Sequence, residues 1–361
     1  MFKKMIAFGA ILALCAGVSY ALTLNGAGAT FPYPIYMKWN KLFSESHKVK
    51  TSWWQSLFSK NGGIEVNYQG IGSGGGIRQF SAGTVDFGGT DAFMSDEQIS
   101  KAGGDVLHIP TVMGAVAVCY NLEGVEDLKL DGQTLADIFL GKTNKWNEKK
   151  IAEINPGIDL PDLPIIVCHR SDGSGTTNIF TSYLAKVSPD WDQKVGKGKA
   201  VDWPEGLGGK GNAGVAGLIK VNKGSIGYVE LSYAITNKLP VIALKNKAGK
   251  FVKPSLEATS FAASGILESK SAMKKVNAGD FRLDLTDAPG DKAYPIVGMT
   301  WLLVHKNQKD KAKGEALVEY LKWALSDGQK YAADLLYAPL PKEMAEKVLK
   351  EVNTIKINSE K

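Results

Sequence analysis

The sequence predicts an α/β protein of two domains. Short β-rich runs alternate along the chain with stretches of helical spacing, the pattern of a mainly parallel sheet flanked by helices. The chain has 361 residues, more than the roughly 100–200 that one domain usually takes. Two long extended runs, near 111–120 and 294–305, suit chain crossings between domains. The first and last parts of the chain would then build one domain and the middle the other.

Composition narrows the class. Hydrophobic residues at 44% and charged residues at 22% exclude wholesale disorder. Glycine, 40 of 361 residues, is about 11% against a usual ~7%. The excess belongs in turns, or in loops where a ligand meets backbone. Three cysteines are too few for a disulfide scaffold or a four-cysteine zinc site. A net charge of +6 is mildly basic, below the concentrated charge of a nucleic-acid binder.

The chain opens on an address. Lys3 and Lys4 precede an apolar stretch from Ile6 to Val18, and Ser19-Tyr20-Ala21 offers a small-x-small cleavage site, which reads as a secretory signal peptide. The apolar stretch is short for a membrane span. Cys15, after Leu12-Ala13-Leu14, offers a lipoprotein site, which the bulky Leu14 disfavours. Cleavage after Ala21 removes two lysines, taking the charge from +6 to +4, and removes Cys15, leaving Cys119 and Cys168.

In the mature chain, Ile64–Tyr68 reads as a strand, and a helix begins over Gly75–Ser81. Thr111–Tyr120 is a long strand, Ile165–Cys168 a short buried one, and Tyr294–His305 another long one. Thr176–Lys186 and Lys313–Ser326 have helical spacing, and Trp191–Gly217, rich in glycine and lysine, reads as a long loop. His47–Gly63 carries Trp53, Trp54, Leu57 and Phe58, read as partly buried packing rather than a docking surface.

Four segments could cradle an oxyanion. Gly26-Ala27-Gly28-Ala29-Thr30-Phe31 leads into a helix from Tyr33, where free N–H groups and the helix dipole favour an anion; the plainer reading makes Thr30 an N-cap. Gly70-Ile71-Gly72-Ser73-Gly74-Gly75-Gly76 lies between a strand and a helix, as phosphate loops do, but lacks the Gly-Lys-Ser/Thr of nucleotide hydrolases. Asp91 follows Gly88-Gly89-Thr90 and precedes a helix at Ser95–Lys101; it is either a cap or an acceptor in a site. His169-Arg170-Ser171-Asp172-Gly173-Ser174-Gly175-Thr176 supplies a guanidinium whose fork suits an oxyanion, with Asp172 to hold it. Ser174 has the setting of a hydrolase nucleophile, but Thr176 stands where that motif needs glycine.

These segments, in this order, resemble the periplasmic phosphate-binding component of bacterial high-affinity phosphate ABC transporters. The resemblance extends through Asp131–Lys142 with Lys145-Trp146, Gly206–Asn212 and Gly224–Glu230, and so over essentially the whole mature chain. Thr51–Lys60 looks like an insertion. The resemblance implies a two-domain clamshell of the type II solute-binding class, with 22–113 plus 298–361 as one domain and 114–297 as the other. It implies a monomer that binds inorganic phosphate, hands it to the permease subunits, and needs no cofactor or metal. Carried over motif by motif, the phosphate ligands are Thr30 and Phe31 through backbone N–H, then Ser73, Asp91, Arg170, Ser174, Gly175 and Thr176, with Asp172 pairing Arg170. A sulfate or molybdate binder would lack the acceptor carboxylate. An exported phosphatase or serine hydrolase would need a metal cluster or an activated nucleophile, and neither is evident in the sequence.

Overall fold

The computed structural model describes residues 21–47 and 63–358. The signal segment with Cys15, and most of the His47–Gly63 stretch including Thr51–Lys60, lie outside the described residues.

The long sheet is built from β1 (Leu22–Gly28), β2 (Ile64–Gly70), β3 (Phe87–Thr90), β4 (Val106–Tyr120), then β6 (Ile166–Arg170), β7 (Leu207–Gly209), β8 (Ser225–Glu230) and β11 (Val297–His305). Its order is β2-β1-β3-β11-β4-β8-β6-β7. The short β5 (Lys129–Leu130), β9 (Ala243–Lys245) and β10 (Phe251–Val252) form a separate sheet. At each end of the long sheet the strands run parallel, β1 with β2 and β3, and β6 with β7 and β8. The two crossing strands, β4 and β11, pair antiparallel with their neighbours. The sheet is thus parallel at its ends and antiparallel at its middle.

β4 carries the chain across. From Val106 to Ala115 it pairs with β11, and from Val116 to Tyr120 with β8. It is buried from His108 onward, which is why its sequence is an almost unbroken apolar run. Opposite Thr300 and Trp301 the register slips by one residue. Pro110, with no N–H to give the ladder, sits at this irregularity. Thr111 is left over, and its hydroxyl meets the Tyr36 hydroxyl at 2.8 Å.

The expected loop over 191–217 is corrected. Helix Pro189–Lys194 occupies its start, β7 lies within it, and helix Gly211–Val221 closes it. The glycines serve close packing: a Cβ on Gly209 would stand 2.7 Å from the Gly214 backbone. Val215, Ala216 and Ile219 bury one face of that last helix. The other elements keep their expected places with shifted ends, such as Gly175–Val187 for 176–186 and Lys311–Ala324 for 313–326.

Cys119 and Cys168 are buried free thiols. Both register with Gly227, one from each side of β8. Two strand spacings therefore separate them, roughly 9–10 Å, beyond the reach of a disulfide. Burial pushes the Cys168 thiol up to about 11 and the Cys119 thiol higher still.

Candidate functional site

The four glycine-bearing segments all sit where a strand gives way to a helix, and their ends converge. After β1, Thr30 and Phe31 lead into helix Tyr33–Ser46, whose N-cap is Pro32 with no side-chain cap. Thr30 is therefore not the cap that the plainer reading made it. Its hydroxyl instead accepts from Asn212 Nδ2 at 2.9 Å, and its carbonyl accepts from the Tyr233 hydroxyl at 2.7 Å.

After β2, Gly72 adopts φ 80°, a left-handed conformation that glycine takes without strain, and helix Ser73–Ser81 follows, again without a side-chain cap. A Cβ at Gly72 would lie 2.3 Å from Asp172 Oδ2. Gly74 N–H donates to Gly173 O at 2.8 Å, so the second and fourth segments touch directly.

Asp91 follows β3 and is 3% exposed. It caps nothing: the next helix is capped by Ser95, in a reciprocal box with Gln98. Thr300 Oγ1 donates to Asp91 Oδ1 at 2.7 Å, and Asp91 N–H donates to Ser73 Oγ at 3.0 Å. Burial raises the carboxyl to about 7, although Thr300, Arg170 and Ser73 each favour its charged form.

The fourth segment leaves β6 at Arg170, which is 4% exposed. Its guanidinium forks onto Asp172, Nε to Oδ1 at 2.8 Å and Nη2 to Oδ2 at 2.7 Å. Burial works to raise Asp172, but the hydrogen bonds and charge of Arg170 hold it below the usual carboxylate range. Nη1 reaches Thr176 Oγ1 at 3.4 Å. Ser174 caps helix Gly175–Val187, its Oγ accepting from Thr177 N–H at 3.0 Å. Gly175 is wedged against the third segment, since a Cβ there would stand 2.5 Å from both Asp91 Cβ and Ser73 Oγ.

Thr30, Phe31, Ser73, Asp91, Arg170, Ser174, Gly175 and Thr176 thus belong to one constellation, with Asp172 behind the guanidinium. Chemically it offers one arginine already paired to a carboxylate, hydroxyls, helix N-termini, and one buried acceptor. That is a cradle for an anion that also brings a proton. Ser174 has no nucleophile's partner: His169 hydrogen-bonds Arg170 O and stacks on Trp203, and no bond joins it to Ser174 among the described residues. Among those residues no group of three potential metal ligands exists either.

Sequence reasoning missed Thr300, Asn212 and Tyr233. Thr300 reaches Asp91 only because β11 lies beside β3. Asn212 lies in the glycine-rich stretch Gly206–Asn212, whose composition conceals that a helix starts there. Tyr233 carried no signal beyond following Glu230.

A family model described as a PBP superfamily domain matches residues 21–328. The phosphate-binding protein PstS of Xylella fastidiosa (strain Temecula1) is 44% identical over 330 residues, covering 91% of this chain and 84% of that one. That of Pasteurella multocida is 42% identical over 351 residues, covering 96% and 95%. Among solved structures, a phosphate-bound high-affinity periplasmic phosphate-binding protein aligns with TM-score 0.69 at 21% identity, covering 93% of this chain and 96% of that one. The phosphate-binding protein from Stenotrophomonas maltophilia aligns with TM-score 0.67 at 18% identity, covering 94% and 97%. These two likenesses speak for the fold, the two-domain type II clamshell. With a superfamily model over most of its length and relatives above 40% identity across nearly all of it, the chain belongs to the PstS phosphate-binding family of the PBP superfamily.

Proposed function

We propose that this protein captures inorganic phosphate between its two domains and delivers it to the permease of an ABC transporter, without catalysis. The observation that carries the reading is Asp91, a buried carboxyl with no capping duty, set against Gly175 and Ser73 within an otherwise donor-rich cradle. Phosphate near neutral pH keeps at least one O–H, which an ionised Asp91 accepts. Sulfate brings none and meets a carboxylate with no compensation. Sites that leave a buried polar group unpaired discriminate by roughly 10⁴–10⁵.

Thr30, Phe31, Ser73, Ser174, Gly175 and Thr176 supply hydrogen-bond donors, and Arg170, steadied by Asp172, supplies the full positive charge. The change of partners by β4 between Ala115 and Val116 supports a hinge there and the division into 22–113 plus 298–361 and 114–297. Closure of the domains would then complete the cage. Export follows from the leader, with cleavage after about Ala21, and the mature chain works as a monomer in the periplasm. No helix among the described residues is long and apolar enough to cross a membrane.

The test is calorimetry of the mature protein against phosphate, arsenate and sulfate, with a generic phosphate ester as the turnover control. One phosphate per chain, weak sulfate and an intact ester are expected. No phosphate heat, or steady release of phosphate from the ester, overturns the reading.

A further inference from the structure

Asn212 is fully buried at the start of helix Gly211–Val221, between Thr30 and Thr176. The orientation of its amide is fixed by chemistry. Glu230 N–H, which can only donate, reaches Asn212 Oδ1 at 2.8 Å. The other end must therefore be the –NH₂. That nitrogen donates to Thr30 Oγ1 at 2.9 Å and to Thr176 Oγ1 at 3.2 Å.

Each of the two hydroxyls has a second donor. Asn212 N–H reaches Thr30 Oγ1 at 3.3 Å, and Arg170 Nη1 reaches Thr176 Oγ1 at 3.4 Å. A hydroxyl has two acceptor sites and one proton. With both acceptor sites occupied, its remaining role is to donate. Among the described residues neither hydroxyl donates to any protein group. The two protons are left for an external acceptor.

We infer that Asn212 is a positioning residue that commits the Thr30 and Thr176 hydroxyls to donation toward bare oxyanion oxygens. This rests on the phosphate reading and deepens it. The site gains a polarity: the Asp91 end takes an O–H, and the Asn212 end refuses one. One amide side chain sets two donors, and it bridges residues 30 and 176, far apart in sequence. Glu230 contributes through its backbone; its side chain faces elsewhere, with Oε2 bound to Ser232 N–H and to the Tyr337 hydroxyl at 2.9 Å and Oε1 without a partner among the described residues.

The test is a thermodynamic cycle of phosphate binding measured by calorimetry. Asn212→Ala is made in the natural background and in a Thr30→Val, Thr176→Val background that has no hydroxyls to orient. A loss of about 10–100-fold is expected in the first, and less than about 3-fold in the second, because coupled groups are non-additive. Equal losses in both backgrounds would make Asn212 merely architectural and overturn the inference. A second measurement needs no variant: in the natural protein loaded with phosphate, proton–phosphorus couplings across hydrogen bonds should appear for both threonine hydroxyls. Their absence for both, with phosphate demonstrably bound, also overturns it. If the natural protein gives no phosphate heat, the phosphate reading itself fails and takes this inference with it.

Discussion

If Asp91 sets selectivity through its proton, sulfate affinity should depend on pH in a way that a single substitution abolishes. Sulfate is a proton-free dianion across the neutral range, so any proton in its complex must come from the protein. Burial raises the Asp91 carboxyl to about 7, from an ordinary 3.8. Ionising it in place therefore costs on the order of 4 kcal/mol more than in water. Below this value Asp91 is protonated and can donate to a sulfate oxygen. Above it, sulfate must bring a proton with it or face a bare carboxylate. By linkage, sulfate affinity should be nearly flat below pH ~6 and fall up to tenfold per pH unit above ~7, each unit being about 1.4 kcal/mol.

Asp91→Asn should remove that slope. Asparagine keeps an oxygen for the phosphate proton and adds an N–H donor for sulfate. Phosphate should still bind, and sulfate should gain most at high pH, about 10–100-fold near pH 8.5. The assay is competition calorimetry at fixed ionic strength from about pH 5.5 to 8.5. A sulfate affinity that is flat in the natural protein, or that slopes equally in Asp91→Asn, would refute the argument. The substitution tests the site rather than a helix end, because Ser95 holds the cap.

Three further outcomes follow from the geometry. Arg170→Ala should weaken phosphate binding by about 2–5 kcal/mol, the cost of stranding a buried charged partner, whereas Arg78→Ala, on an exposed helix face, should change little by the same titration. Gly175→Ala drives a methyl to 2.5 Å from Asp91 Cβ and Ser73 Oγ; overpacking of about 1–3 kcal/mol should lower phosphate affinity about 5–150-fold, while Gly217→Ala, with nothing within 4 Å, should leave it unchanged. Cys119 and Cys168 should resist alkylation in the folded protein and add two labels under denaturant without reductant, as intact mass will show.

What could be read from the sequence was what local chemistry writes into it. Glycines before a helix, a hydroxyl at its first turn and an arginine beside Asp172 are neighbours along the chain, so their placement together was legible. So was the alternation of strands and helices. Asp91 is ambiguous in sequence because an aspartate just ahead of a helix suits a cap as well as a site, and Ser95 with Gln98 takes the cap. The residues that hydrogen-bond these candidate ligands were illegible because they arrive through tertiary register. Thr300 meets Asp91 across β11 and β3, and Asn212 meets Thr30 and Thr176 from a helix whose glycines imitated a loop. The change of partners within β4 was hidden as well, since residues on both sides of it are equally apolar.

The two ends of the site together fix a count of protons, and that count can be measured. On the proposed reading Asp91 accepts one O–H, and the hydroxyls committed by Asn212 have no room for a second. The species that fits an ionised Asp91 is therefore monohydrogen phosphate. Near pH 8.5 both partners already carry that inventory, Asp91 having lost the proton it holds to about 7, so binding should neither release nor take up a proton. Near pH 5.5 the free carboxyl and the free anion each hold one proton more. Both of these must leave when the complex forms, because only one proton in all fits between carboxylate and ligand. Calorimetry of phosphate binding in two buffers of different ionisation enthalpy reads this release directly. It should rise from near zero at the upper pH to about two protons at the lower. A release that stays near zero throughout would mean that the site accepts phosphate in either protonation state, and neither Asp91 nor Asn212 would then be selecting by hydrogen-bond polarity.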